Sequence, residues 1–367
     1  MIIDKCIEAL TDPRKKTNQR YSLSSLILII FSSVISGYDS AEEMAEFARL
    51  KLDWLQKFVD IERAPCAETL RYLLCAIAPN EMIKCFEIFN QEYNIDSTED
   101  VISVDGKTMR GTRTEDLSAL HIVSAWSNKH GITLSMLESM GKKNEIKTIP
   151  KLLDIVDIKN AIITIDAMGC QKKIASKIIE KKGDYVLQLK GNQNNLYEEI
   201  KAYQNRLLRT NYEDIDIDID VYEEVDKGHG RLEIRKYTQI SVTDWVSQKG
   251  DWEKLKTFVM VERTREKNEK VQQETSWYIS SMKIGAKRVA NAIRSHWGVE
   301  NLLHWRLDIV FDEDRCALHS GSGPINMGIL KRFCMNLLSK DSTIKRMKHR
   351  VMASAVDDSF RERVLFG

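Results

Sequence analysis

The sequence lacks any apolar run long enough to cross a membrane. A membrane-spanning helix needs about 20 consecutive apolar residues, and the longest apolar stretch, Leu23 to Ser36, is shorter and contains serines. It is predicted to be a buried helix. Residues 1–20 carry charges where a signal peptide needs an apolar core, so nothing favours export. We therefore expect a cytoplasmic protein that does not associate with membranes.

The sequence also lacks the cysteine spacing of a zinc site and the glycines of a nucleotide-binding loop. Its seven cysteines include no C-x-x-C pair, which argues against structural zinc and for reduced thiols. The residues Gly106, Lys107 and Thr108 match the end of the pattern G-x-x-x-x-G-K-[ST], but Val101 stands where the first glycine is required. An ATP-binding loop is therefore not expected.

An excess of charge of one sign is missing as well. The formal net charge is +1, which gives no overall basic signature for nucleic acid. The charges are nevertheless unevenly distributed: residues 331–350 contain seven Lys or Arg and one acid, whereas residues 213–226 contain eight acids and no base. Such asymmetry occurs where a nucleic-acid surface lies beside a segment that avoids it, but two solvated faces would also produce it.

Hydrophobic periodicity divides the chain into three parts. The predicted parts are an all-helical N-terminal domain (1–94), a domain of alternating strands and helices (95–340, β-rich at about 211–281) and a basic helical tail (341–367). Candidate strands are Val101 to Asp105, Leu120 to Ser127, Ile132 to Glu138, Ala161 to Asp166 and Tyr185 to Leu189. Three close strands followed by helix, strand and helix predict an α/β fold with a mixed sheet.

Two aspartates stand at the ends of strand-like runs. The segments "VISVDG" and "AIITIDAMG" end their apolar residues on Asp105 and Asp166. If these strands are parallel neighbours, both acids lie at the edge of the sheet where α/β proteins bind ligands. Two close carboxylates repel each other unless a cation lies between them. Hard divalent cations such as Mg²⁺ or Mn²⁺ take oxygen ligands of this kind.

A third ligand is expected on a late helix. His296, Glu300 and His304 are spaced four apart, so they share roughly one helical face. Two histidines and a glutamate could hold zinc, although this is not the compact H-E-x-x-H pattern. Alternatively, Glu300 joins Asp105 and Asp166 in a three-carboxylate site, and His296 packs or touches a phosphate. We prefer the second interpretation because it uses all three segments.

A three-carboxylate site suits phosphodiester chemistry. Two metal ions about 4 Å apart can activate the nucleophile and stabilise the leaving oxygen. Basic residues that follow the two aspartates could contact phosphates, namely Lys107, Arg110, Arg113, Lys172 and Lys173. The acids at 312–314 lie outside the helical pattern and are expected to cap or bridge locally, so Glu313→Gln should be mild.

Ordered motifs along nearly the whole chain carry a family resemblance. They are "DPRKK", "VISVDGKTMRG", "ALHIVSAWS", "NEI", "TIDAMGCQK", "DYVLQLKGNQ", "GHGR", "VERTRE", "YISS", "SHWGVENLLHW" and "FDEDRC". With these motifs the sequence resembles the H-repeat-associated family of DDE transposases from bacterial insertion sequences. The resemblance implies a ribonuclease H-like catalytic domain with a β-rich insertion before the last acid. The spacings agree, with 61 residues from Asp105 to Asp166 and 134 from Asp166 to Glu300.

The resemblance also implies a mechanism and partners. It makes Asp105, Asp166 and Glu300 the catalytic, metal-binding triad, with two Mg²⁺ or Mn²⁺ ions. It implies double-stranded DNA, both element ends and target, as the substrate, and a homo-oligomer assembled on it. The DNA contacts that we expect from the motifs are Lys190, Gln193, His229, Arg231 and Trp297.

Some positions depart from the wider superfamily. Many relatives have arginine where His296 stands and lysine where Leu307 stands, so Arg306 is a candidate substitute for DNA contact. Two other functions remain open: a metal-dependent nuclease of the same fold, and a DNA-binding relic that has lost catalysis. A strand-transfer assay with a pre-cut 3′ end would separate transposase from nuclease. The helical N-terminal domain and the basic stretch 331–350 are predicted to bind DNA through its phosphates.

Overall fold

A computed structural model describes residues 2–17, 19–92, 95–115, 118–209, 217–228, 231–267, 270–316 and 318–367. Helices form the chain up to Glu92, as predicted. They are α1 (Ile2–Glu8), α2 (Leu23–Ile35), α3 (Ala41–Leu50), α4 (Leu52–Leu55), α5 (Ala67–Ala76) and α6 (Pro79–Glu92). A capping box begins α3, since the Ser40 side chain accepts from the Glu43 amide and the Glu43 carboxylate accepts from the Ser40 amide.

The described strands form one mixed sheet. They are β1 (Val101–Met109), β2 (Leu120–Ser127), β3 (Ile132–Ser139), β4 (Ile162–Ile165), β5 (Asp184–Leu189), β6 (Ile219–Gly228), β7 (Arg231–Ser241), β8 (Thr257–Lys267) and β9 (Lys270–Ser280). Their order across the sheet is β3-β2-β1-β4-β5-β9-β8-β7-β6. Strands β1, β4 and β5 are parallel, and the other pairings are antiparallel. The predicted mixed α/β sheet is confirmed, whereas the ribonuclease H-like arrangement remains a prediction.

One predicted strand boundary needs correction, and two features were not predicted. Strand β1 does not end at Asp105 but continues to Met109, because its second half pairs with β2. The strands of the predicted β-rich region extend the central sheet, because β9 pairs with β5. A helix that was not predicted, α9 (Asn194–Arg209), precedes this region. Part of the acidic segment, residues 210–216, lies outside the described residues.

Helices cover both faces of the sheet. Those after β3 are α7 (Glu145–Ile155), α8 (Lys172–Glu180), α9, α10 (Ala286–Gly298), α11 (Trp305–Ile309), α12 (Gly323–Ser339), α13 (Met347–Val356) and α14 (Asp358–Phe366). Alternate residues of each strand point to opposite faces: Val123 of β2 packs in one core with α7 to α9, while Ile122 packs in another with α12 and the N-terminal helices. Helix α10 packs against β4, β5, β7 and β8.

The C-terminal helices share a core with the N-terminal helices. Phe31 of α2 contacts Phe333 of α12 edge to face, and Arg361 of α14 lies over the ring of Trp54. Within the predicted basic stretch, Lys331 and Arg332 are fully buried in α12, so they cannot contribute to a DNA surface. The division into three domains remains a prediction. Among the described residues, no helix is both long enough and apolar enough to span a membrane.

Candidate active site

Asp105 of β1 and Asp166, the residue directly after β4, lie on the same face of the sheet. These strands are parallel, with Ser103 in register with Thr164, and the Thr164 hydroxyl donates to the Ser103 hydroxyl at 3.1 Å. Two residues further along, the side chains return to the same face, and those residues are the two aspartates. Asp166 directly follows β4 as predicted and caps a short 3-10 helix.

Each aspartate is held through one of its oxygens. Asp105 Oδ1 accepts the Gly106 amide at 2.9 Å, and Asp166 Oδ1 accepts the amides of Met168 and Gly169 at 3.0 and 3.3 Å. The backbone therefore fixes both carboxylates, and the second oxygen of each is not used in these hydrogen bonds.

The Asp105 carboxyl group is electrostatically strained. Burial raises its pKa to about 7, and the negative charges of Asp166, Glu145 and Glu300 add to this rise, while the Gly106 amide opposes it. The two predicted partner acids therefore lie within electrostatic reach of Asp105. An added positive charge at this position would stabilise the ionised form.

Glu300 lies on a π-helical segment, Val299–His304, between α10 and α11. Such turns are rare and are frequent at functional sites. His296, Glu300 and His304 are therefore not all on one regular α-helix. This corrects the prediction that their four-residue spacing places them on one helical face. Glu300 is exposed and lines the same cleft as Asp166. The sequence gives no signal for the change from α-helix to π-helix.

The two histidines around Glu300 face the sheet and are electrically neutral near pH 7. His296 Nδ1 is 3.1 Å from the Thr164 hydroxyl, and burial lowers its pKa to about 4 although Asp166 opposes the shift. His304 Nδ1 is 3.8 Å from Asp105 Oδ2, and burial lowers its pKa to about 3. His296 also lines the cleft that holds Asp166 and Glu300, so its contact to a phosphate stays a prediction, and the ring that would make this contact is uncharged.

The oxygen donors of the three acids suit a hard divalent cation, but the side chains are not close enough together to form a complete metal site. Asp105, Asp166 and Glu300 supply oxygen donors only, the type that Mg²⁺ and Mn²⁺ prefer, and the raised pKa of Asp105 favours a neighbouring cation. Among the described residues, no three His, Cys, Asp or Glu side chains are arranged to hold a metal ion. This finding covers the alternative zinc trio of His296, Glu300 and His304 as well.

A cleft with a volume of about 690 Å³ opens beside the acids. Its floor carries Asp166 and Glu300, and one wall comes from β7, β8 and β9. Basic residues line this wall and the neighbouring loop and helix, namely Lys190, Arg231, Arg235, Arg263, Arg265 and Arg294. Of these basic residues, only Lys190 and Arg231 are among the DNA contacts predicted from the sequence. The period-two alternation of arginines in β7 and β8 could have identified the others, because alternate residues share one face.

Four of the predicted DNA contacts line this cleft, namely Lys190, Arg231, His296 and Trp297. Lys190 and Arg231 are exposed. The Trp297 ring is 47% exposed, and the guanidinium of Arg263 lies 5.9 Å from its centroid. His229 lies outside the described residues, so its prediction stays open.

Other predicted contacts have different surroundings. Lys107 is 7% exposed and forms ion pairs with acids that follow Glu300, so its placement does not support a phosphate contact. Arg306 is partly buried, and burial and the charge of Arg350 lower its pKa. The Gln193 amide donates to the Cys170 carbonyl and joins two loops. Arg110 is 85% exposed, and Lys172 pairs with Asp251 at 2.7 Å.

Comparison with protein families identifies the chain. A family model described as "Transposase DDE domain" matches residues 96–337, and a model described as "DDE_Tnp_1-associated" matches residues 5–89. The chain belongs to the DDE transposase family. DDE transposases cleave DNA and transfer DNA strands, and the family generally uses divalent metal ions. The predicted function as a transposase is thereby confirmed.

Individual relatives extend the similarity over nearly the full chain. The "H repeat-associated putative transposase YhhI" of Escherichia coli K12 is 33% identical over 98% of this chain and 97% of its own length. The "Putative transposase YncI" of Escherichia coli O157:H7 is 34% identical over 98% of this chain and 93% of its own length. The resemblance to the H-repeat-associated transposases is confirmed. Among solved structures, a piggyBac transposase synaptic complex with hairpin DNA matches with a TM-score of 0.43 and 11% identity over 99% of this chain and 80% of its own.

Proposed function

We propose that Asp105, Asp166 and Glu300 are the catalytic carboxylates with which this transposase mobilises an insertion sequence. The observation that carries the proposal is the register of the parallel strands β1 and β4, which brings Asp105 beside Asp166. The charges of Asp166 and Glu300 both contribute to the raised pKa of Asp105. Three carboxylates from distant parts of the chain are costly to gather without a compensating cation. Perturbed acids in a cleft are typical of functional sites.

The same three residues would hold Mg²⁺ or Mn²⁺, as two ions in the full complex. When bound, such ions activate the attacking oxygen and stabilise the leaving oxygen of a phosphodiester. The protein contributes rigid positioning. Backbone amides fix Oδ1 of Asp105 and of Asp166, which leaves Oδ2 of each for a ligand. Glu300 is exposed on its π-helical turn, so its side chain can turn towards the two aspartates.

The arginine-lined cleft is the proposed path of the DNA backbone. Guanidinium groups recognise phosphates through paired N–H donors, and this wall adjoins Asp166 and Glu300. Next to the acids, the neutral His296 ring contacts the Thr164 hydroxyl, so neither of these neighbouring groups carries a charge. We further propose that a homo-oligomer assembles on the two element ends and the target DNA.

A strand-transfer assay tests this function against a nuclease of the same fold. Wild-type protein is incubated with Mg²⁺, a pre-cut 3′ end from the DNA flanking this reading frame, and a supercoiled target plasmid. Joined products that disappear in Asp105→Asn and Asp166→Asn support the proposal. Cleavage without joining would favour the nuclease, and DNA binding without either reaction would favour a relic.

A further inference from the structure

One fully buried carboxylate in the cleft wall is surrounded by four arginines. Glu233 of β7 faces the cleft side of the sheet and is completely shielded from solvent. Its Oε1 is 2.5 Å from Arg235 Nη2 and accepts a hydrogen bond from Arg263 Nε. Its Oε2 is 3.4 Å from Arg231 Nη2 and 3.8 Å from Arg265 Nε. The strand register explains this cluster, because Glu233 lies opposite Arg265 of β8.

The four arginines differ in how closely they are paired with carboxylates. Arg235 also contacts Glu224 at 3.2 Å, and Arg263 contacts Glu274 at 3.8 Å. Arg231 and Arg265 reach Glu233 only at the longer distances, and their side chains are 41% and 34% exposed. Arg265 Nε is buried without a hydrogen-bond partner among the described residues. A guanidinium group has five donors, so these two arginines retain capacity for an external anion.

Burial opposes the ionisation of Glu233, yet its pKa is held below the usual range. The hydrogen bond from Arg263 and the charges of Arg235, Arg263 and Arg231 outweigh the effect of burial. The carboxylate is therefore ionised near pH 7 and can anchor the arginines. The cluster is adjacent to the candidate catalytic centre, because the Arg263 guanidinium lies over Trp297, three residues before Glu300.

We propose that Glu233 is a positioning residue that holds Arg231, Arg263 and Arg265 as a binding platform for backbone phosphates of duplex DNA. The platform rests on the proposed function, since it names where the substrate binds beside the same acids. Glu233 does not touch DNA. It fixes side chains that would otherwise lose conformational entropy on each phosphate contact.

The direction in which Glu233→Gln changes the affinity for DNA distinguishes the positioning role from a purely electrostatic effect. Glu233→Gln removes a negative charge near the DNA path, so charge alone predicts tighter DNA binding. The positioning role predicts weaker binding by about tenfold, comparable to the loss of one charge-assisted hydrogen bond. Affinity is measured by fluorescence anisotropy with a random-sequence duplex and EDTA, because phosphate contacts require neither sequence nor catalysis. Unchanged or tighter binding by Glu233→Gln would overturn the proposal.

Two arginines that are at least partly exposed, Arg231 and Arg265, keep the proposal testable if Glu233→Gln does not fold. Arg231→Gln and Arg265→Gln should each weaken binding and each reduce the slope of log affinity against log salt by about 0.9. Lys236→Ala is the matched control, since Lys236 lies on the opposite face of β7 and should leave the platform intact. Wild-type affinity in both arginine variants would refute the platform. Because no cleavage is measured, this result is independent of whether the three acids are catalytic.

Discussion

Lys107 Nζ lies 2.6 Å from Asp308 Oδ1, and this ion pair ties the strand of Asp105 to the helix that follows Glu300. The same ammonium group is 3.2 Å from both Glu313 and Asp314. Glu313 in turn pairs with the fully buried Arg332 of α12. A buried charge network therefore spans strand β1, helix α11 and helix α12 directly behind the candidate catalytic acids.

Removing Lys107 should be strongly destabilising. Lys107→Met would leave three acids without their shared cation, and breaking one partner of a buried ion pair costs about 3–5 kcal/mol. Urea unfolding should show a loss of this size. Arg110→Met is the control, because that side chain is 85% exposed and should change stability by less than about 0.5 kcal/mol. A Lys107→Met variant as stable as wild type would show that the network does not contribute to stability.

Asp105→Asn should stabilise the metal-free protein at pH 8 but not at pH 4. The folded-state pKa of Asp105, about 7, lies above its ordinary value of 3.8, so the folded protein binds the proton more tightly than the unfolded chain. Stability from this group is thus lost as pH rises through about 7. The asparagine variant avoids this loss, which is up to about 4 kcal/mol at one pKa unit per 1.36 kcal/mol.

Thermal unfolding in EDTA at both pH values measures this effect. Asp312→Asn serves as the control, since that side chain is 55% exposed and its left-handed backbone conformation is one that asparagine tolerates well. An equal shift at both pH values would contradict the account of a strained, partly protonated Asp105.

The N-terminal part and the exposed bases of the tail are predicted to bind DNA phosphates. The structure narrows the tail residues to Lys345, Arg346 and Lys348, which are exposed. Arg350 is excluded because it donates to the carbonyls of Leu338 and Ile344. Changing the three exposed bases to alanine should weaken duplex binding and reduce its salt dependence by up to about 0.9 per lost contact. Unchanged affinity over a salt titration would remove the tail from the DNA interface.

The pairing of the two aspartates could be predicted from the sequence because it depends on local pattern. Apolar β-branched runs that end on an acid indicate strands, and parallel strands align their carboxyl ends. Glu300 was more difficult to place, and its π-helical turn has no signature in side-chain periodicity.

Tertiary contacts account for what the sequence could not predict. The predicted phosphate contact of Lys107 did not take into account the acids about 200 residues away that surround its ammonium group. The expectation that Glu313→Gln would be mild stays untested, but the sequence did not reveal that Glu313 is a fully buried partner of Arg332. The arginine wall depended on β9 pairing with β5, a register that alternation alone does not specify.

The claim that Asp105, Asp166 and Glu300 are the catalytic carboxylates is tested most directly by measuring DNA cleavage by Glu300→Gln. A supercoiled plasmid that carries the reading frame with its flanking DNA is incubated with protein and Mg²⁺ or Mn²⁺. The substitution keeps the size of the side chain but removes the charge, so cleavage should fall by roughly a hundredfold or more while anisotropy shows duplex binding no weaker than that of wild type. Asp312→Asn should cleave as wild type. If Glu300→Gln cleaves normally, or if zinc but neither Mg²⁺ nor Mn²⁺ restores metal-stripped wild type, the three-carboxylate mechanism is contradicted.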